Sequence, residues 1–263
     1  MIAMFDSGLG GLSIWRALAG ALPDWPISYL ADQAYCPYGS RSHAQITQRS
    51  LCIGRWLADQ GADMLVVACN TATSVAVETL RRELRIPVVG VEPAVKPAAA
   101  ACQTGQIAVL ATEAMLNSAR FRSLLQRHAG NVQVISRPGR GWVEQVESGE
   151  LDSPQARAVV RAVVEPLLEY DIDHIVLGCT HYPFLAPLIR SLAGEAICLV
   201  DPAEAIARRV VKLLDNRSPP PSAHYRFFTT SDDPRDMSMR LPALIGHDWP
   251  VKSIILETAE SGV

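Results

Sequence analysis

The 263-residue chain has only three lysines, Lys96, Lys212 and Lys252. None lies in a segment resembling a Schiff-base site for pyridoxal phosphate (PLP), which argues against that cofactor. No apolar run approaches the roughly 18 residues that a membrane span needs, so no membrane is expected as a partner. The six cysteines contain no Cys-x-x-Cys pair, and the six histidines (His43, His128, His174, His181, His224 and His247) show no metal-ligand spacing. No metal is expected, and no disulfide framework either. Neither sign of charge is in large excess: the formal net charge is −3, which gives no electrostatic case for nucleic acid. The opening residues, Met1 to Asp6, lack a basic leader and reach an acid by the sixth position. They predict a first strand and not a signal peptide, and the expected compartment is the cytoplasm, where free thiols are the default.

With 49% hydrophobic and 19% charged residues, what remains is an ordinary globular composition. Short apolar runs alternate with amphipathic stretches, the signature of an α/β fold. The runs predict strands at Ile2–Phe5, Ile27–Leu30, Met64–Ala68, Val88–Val91, Ile107–Leu110, Val132–Ile135, Ile175–Leu177 and Ile197–Val200. Their unbroken apolar character points to parallel sheets covered on both faces. Ser42 reads as an N-cap, with Ile46, Ile53 and Leu57 on one face of the helix it starts, and helical periodicity returns over Gln155–Glu169 and Glu204–Leu214. Pro219-Pro220-Pro221 marks a linker, followed by a strand at Tyr225–Thr229, a short helix and a last strand near Ile254.

The chain also resembles itself. Ile2-Ala-Met-Phe returns 105 residues later as Ile107-Ala-Val-Leu; Val66-Val-Ala-Cys69-Asn-Thr returns 110 residues later as Val176-Leu-Gly-Cys179-Thr-His; Val91-Glu-Pro-Ala returns 109 residues later as Val200-Asp-Pro-Ala. Three matches in one order predict two similar, doubly wound domains related by a pseudo-two-fold axis. The expected boundaries are 1–97 plus 206–263 for the first and 98–205 for the second. In open α/β sheets ligands bind beyond the carboxyl ends of strands, so the site is expected in the cleft between the domains.

The repeat singles out Cys69 and Cys179. Each follows an apolar strand and precedes a helical stretch, where backbone amides and a helix dipole are expected to favour thiolate. A buried cysteine is more often a space-filler, but equivalent placement in two repeats with polar neighbours favours function. Racemisation needs a proton removed from one face of a carbon and another delivered to the opposite face, which a thiolate and a thiol across a cleft can do. His181 is the nearest partner for Cys179. Asp6, at the end of the first strand, is placed to accept or relay the proton of Cys69, and also to form a turn or cap. Asn70, Thr71 and Thr180 suit a small anion. Gly8-Leu-Gly-Gly11 lacks the third glycine of a dinucleotide loop, Ser13 standing there, and reads as a tight turn that admits a carboxylate or backbone closely. In Tyr35-Cys-Pro-Tyr-Gly39 the Tyr38 hydroxyl and the Gly39 amide are candidates for substrate contact.

Four segments, Phe5-Asp-Ser-Gly-Leu-Gly-Gly-Leu-Ser13, Pro37-Tyr-Gly39, Ala68-Cys-Asn-Thr-Ala72 and Gly178-Cys-Thr-His-Tyr-Pro183, resemble the signatures of bacterial glutamate racemases, as do Leu110-Ala-Thr112 and Asp201-Pro202. The resemblance runs along nearly the whole chain. It implies an isomerase that interconverts L- and D-glutamate without PLP or another cofactor and supplies D-glutamate for peptidoglycan. It implies that Cys69 serves the D-enantiomer and Cys179 the L-enantiomer, with Asp6 and His181 assisting. It places Ser7, Pro37, Tyr38, Gly39, Asn70, Thr71 and Thr180 at the substrate, and Glu147 near the second cysteine; by its own neighbours Glu147 reads only as a solvated helix residue. Two departures bear on the second domain: Met115 stands where the family usually has a hydroxyl, and Arg137–Trp142 replaces an apolar stretch. An aspartate or hydantoin racemase, a non-catalytic small-acid receptor and a thiol redox protein are the alternatives. A homodimer is compatible with the sequence, which shows no interface for it.

Overall fold

The computed structural model describes residues 1–215, 217–220 and 224–256. Pro221 of the expected linker and the last seven positions of the expected first domain lie outside them. The strands among the described residues are β1 (Ile2–Asp6), β2 (Ile27–Ala31), β3 (Met64–Val67), β4 (Val88–Gly90), β5 (Gln106–Ala111), β6 (Gln133–Pro138), β7 (His174–Leu177), β8 (Cys198–Val200), β9 (Tyr225–Thr229) and β10 (Val251–Ser253). They form two sheets, in the orders β10-β9-β2-β1-β3-β4 and β6-β5-β7-β8, with every pairing among the described residues parallel.

The second order repeats the β2-β1-β3-β4 core of the first, strand for strand. The register repeats too: Ile2 pairs with Met64 across β1 and β3, and Ile107 with His174 across β5 and β7, the same 105- and 110-residue offsets as the sequence matches. All five residues of β1 are buried, because helices cover both faces and neither face of the pleat meets water.

Local chemistry explains the elements that frame the site. Ser42 caps the helix His43–Asp59 through a capping box with Gln45, an arrangement that contributes about 1 kcal/mol. The expected helix over Gln155–Glu169 divides into an α-helix, Pro154–Val164, and a 3-10 turn, Glu165–Glu169, because Pro166 cannot supply the next amide. The final strand ends at Ser253, one residue before its expected centre. No helix among the described residues is long and apolar enough to cross a membrane.

Candidate active site

The carboxyl ends of four central strands converge. β1 delivers Asp6 and Ser7, β3 delivers Cys69, Asn70 and Thr71, β5 delivers Thr112, and β7 delivers Cys179, Thr180 and His181. Cys69, Cys179, Ser7, Asn70, Thr71, Thr180 and His181 line one cavity together with Pro37, Tyr38 and Gly39. Asp6 is fully buried behind that wall, and Glu147 stands behind His181. The cavity is narrow, with room for about two water molecules in this closed arrangement. An amino acid therefore enters only when the walls part.

On the first-sheet side, Cys69 is itself the N-cap of the helix Asn70–Glu83; its sulfur accepts from the Ala72 amide at 3.4 Å. Its thiol lies 3.7 Å from Ser7 Oγ. The expected thiolate character fails here, for an electrostatic reason. Burial pushes the thiol pKa up from its ordinary 9.0 to about 12, the Asp6 charge adds to this, and the helix amide and Ser7 pull only part of it back. Asp6 is not bonded to the thiol as the sequence leads one to expect. One carboxylate oxygen accepts the Gly8 amide at 2.8 Å and the other accepts the Thr180 hydroxyl at 3.0 Å. Burial lifts the Asp6 pKa from 3.8 to about 6 in spite of those bonds and of the nearby His181.

These values set a pH dependence. Below its pKa a thiol reacts in proportion to its thiolate fraction. Site-resolved alkylation of Cys69 in the free protein is therefore expected to climb about tenfold per pH unit from 7 to 10 without levelling. Asp6→Asn removes the largest raising cause after burial, so it should accelerate labelling at each pH. A plateau at or below pH 8, read by mass spectrometry, would refute the assignment.

On the second-sheet side, His181 is buried between two partners. Nδ1 lies 3.7 Å from Cys179 Sγ, and Nε2 lies 2.6 Å from Glu147 Oε1. The same carboxylate oxygen accepts the Leu9 amide at 2.6 Å. Burial opposes the charged ring, but the bonds to Cys179 and Glu147 prevail and hold its pKa well above 6.5. The glycine loop makes this contact possible. A Cβ at Gly8 would collide with the Glu147 carboxylate, and one at Gly10 with the His181 ring. The carboxylate that the loop admits thus belongs to the chain itself. Ser13, at the missing third glycine, donates to the Thr180 carbonyl at 2.9 Å and ties the two sheets together. Cys179 leads into a 3-10 turn, Tyr182–Leu185, and not into an α-helix as Cys69 does.

Tyr38 lines the cavity, but its hydroxyl is committed to Asp32 Oδ2 at 2.6 Å. Asp32 is buried and also holds Arg49 and the Thr230 hydroxyl, so the Tyr38 proton is committed there and anchors the loop. Both amide atoms of Asn70 are buried with no protein partner, an open demand for a ligand or water. Thr71 meets Thr112 hydroxyl to hydroxyl at 3.3 Å across the sheets.

Thr112 and Val143 complete the lining and were not among the expected site residues. The repeat carried the signal for Thr112: its 105-residue offset maps Ser7 onto it. Val143 has no such signal, being an apolar residue in the first turn of the helix Trp142–Ser148. Met115 is buried outside the cavity, and Trp142 packs edge-on against Tyr182 with ring centroids 4.7 Å apart. No lysine lines the cavity, none of the six cysteines is joined in a disulfide, and no group of three metal-ligating side chains occurs among the described residues.

The family described as Asp/Glu/Hydantoin racemase matches residues 12–210. The glutamate racemase of Methylococcus capsulatus is 48% identical over 214 residues, 81% of this chain and 79% of that protein. The glutamate racemase of Pseudomonas aeruginosa is 43% identical over 258 residues, 97% of each chain. Among solved structures, Escherichia coli glutamate racemase in complex with L-glutamate and the activator UDP-MurNAc-Ala superposes with a TM-score of 0.86 at 31% identity, covering 96% of this chain and 97% of that one.

Proposed function

The chain belongs to the Asp/Glu/hydantoin racemase family, and from that premise we propose that it interconverts L- and D-glutamate by a two-thiol proton transfer. The observation that carries the mechanism is the meeting of Cys69 and Cys179, delivered by equivalent strands of two repeated sheets, in one cavity. With the substrate Cα between them, one thiolate takes the α-proton and the opposite thiol gives its own to the other face. The enantiomer leaves, and the two sulfurs have exchanged protonation states. Ser7, Asn70, Thr71 and Thr180 supply hydrogen bonds for the carboxylates and the ammonium group. The incoming ammonium charge lowers the cost of a thiolate at Cys69, which the free protein resists. His181, held charged by Glu147, stabilises negative charge on Cys179. Asp6 holds Thr180 and the glycine turn, and it sets the field at Cys69.

No step in this scheme calls on a cofactor. The two sheets are taken as the domains 1–97 plus 206–263 and 98–205, in keeping with the pairing of β9 onto β2. D-glutamate for peptidoglycan is the proposed use of the product, and the cytoplasm the proposed location. A homodimer is a separate proposal, decided by whether sedimentation velocity finds a species of twice the chain mass.

The test is proton NMR of the purified, reduced protein with L-glutamate in deuterated water and no added PLP, followed by chiral analysis. Loss of the α-proton signal together with appearance of D-glutamate is expected. Saturable binding without exchange would favour a small-acid receptor, and turnover of aspartate in place of glutamate a sister racemase.

A further inference from the structure

Asn70 also borders a second and smaller cavity, which neither Cys69 nor Cys179 lines. Asn70, Ser74, Glu92, Met115, Arg120 and Phe121 form much of its wall. Three buried polar atoms on this wall have no protein partner: Oδ1 and Nδ2 of Asn70, and Nε of Arg120. Leaving a buried donor or acceptor unmet costs about 1–3 kcal/mol each, so unmatched atoms of opposite hydrogen-bonding character around one void need an explanation.

The guanidinium of Arg120 cannot swing over to satisfy the amide itself. Its terminal nitrogens are held by Glu78 at 3.2 Å and Glu92 at 2.7 Å, which fixes Nε in place. The cavity has room for about one water molecule, the least that a hydration site requires. Ser74 donates its own proton to the Thr71 carbonyl at 2.8 Å, leaving its oxygen open as an acceptor.

We propose that Arg120 is a positioning residue for Asn70, acting through a single buried water that accepts from Arg120 Nε and donates to Asn70 Oδ1 and Ser74 Oγ. The water then has three partners, the usual number for a buried site. The order of donors matters. Arg120 is a donor only, so the water it binds turns both of its hydrogens outward. That selects one of the two otherwise similar orientations of the Asn70 amide: Oδ1 faces the water and Nδ2 faces the catalytic cavity. A donor there suits a carboxylate of the substrate. Arg120 sits on the helix Ala119–His128 of the second repeat and Asn70 starts a helix of the first, so the link also spans the two halves.

The inference rests on the racemase reading, and its test separates the two. Arg120→Met removes the Nε donor. Arg120→Lys keeps a cation for Glu78 and Glu92 but lacks that donor. Each is expected to raise the KM for glutamate about tenfold with kcat changed by less than about threefold, the mark of lost uniform binding. Glu78→Gln, which keeps an acceptor for the Arg120 terminal nitrogen, leaves the shorter Glu92 pair intact and does not line the cavity, should leave KM as it is. In an Asn70→Ala background Arg120→Lys should add nothing, because the residue it positions is gone. An unchanged KM in Arg120→Lys, or effects that multiply fully in the double variant, would overturn the proposal. If Arg120→Met does not fold, the lysine variant alone decides. Wild-type protein that fails to exchange the α-proton would sink the racemase reading instead.

Discussion

Cys69→Ala and Cys179→Ala should each lose at least about a thousandfold in racemisation, about 4 kcal/mol of barrier, because each removes the only acid/base on one face of the substrate. A merely space-filling cysteine would cost stability and leave turnover nearly intact, so near-normal rates in either variant would end the two-thiol mechanism. The stronger result lies in what survives. A variant with one thiol can still pull a proton from its own face and return a solvent-derived one to the same face. In deuterated water Cys179→Ala should wash deuterium into D-glutamate without making L-glutamate, and Cys69→Ala should do the reverse. The geometry gives reason to expect unequal survivors. Cys69 is buried beside a carboxylate and resists ionisation, whereas Cys179 has the charged His181 at 3.7 Å. Exchange through Cys179 alone should therefore outpace exchange through Cys69 alone. Exchange of both enantiomers by one single-thiol variant would contradict the assignment of faces.

The framework of this site was legible in the sequence because it depends on local order. Apolar strands, the polar residues that follow them and a repeated spacing are all linear features, and together they mark Cys69, Cys179 and the positions beside them. What was not legible depends on contacts far apart in the chain. Glu147 looks like a solvated helix residue until the glycine turn, 138 residues from it, is packed against it. The Tyr38 hydroxyl looks available until Asp32 and Arg49 bury a charge pair around it. A thiol at a helix N-terminus is expected to ionise easily. The sequence carries no measure of the burial that reverses this at Cys69. Thr112 was within reach, since the repeat offset that maps Ile2 onto Ile107 also maps Ser7 onto it.

Glu147→Gln tests whether the charge on His181 matters as much as its position. Glutamine keeps the shape of the side chain and can still accept the Leu9 amide, so the glycine turn should stay in place. It cannot balance an imidazolium. Without that charge one of the two partners that offset burial is lost, Cys179 being the other, and the His181 pKa should fall. The sign follows: any limb of the pH–rate profile that reports His181 moves to lower pH in Glu147→Gln, because the ring loses its proton sooner as pH rises. A loss of about 10- to 100-fold in kcat is expected near neutral pH, with a smaller loss below the shifted pKa, where the ring is charged again. His181→Gln removes the group outright, should cost about 100-fold or more, and should show no recovery in acid. In the double variant the glutamine at 147 should add little, since Glu147 acts on Cys179 only through the ring. The deficit should also be one-sided, slowing exchange of L-glutamate more than that of D-glutamate, because His181 touches Cys179 and not Cys69. Equal slowing of both enantiomers with an unmoved pH profile would show that Glu147 only props up the fold, and the charge relay from Glu147 through His181 to Cys179 would have to be abandoned.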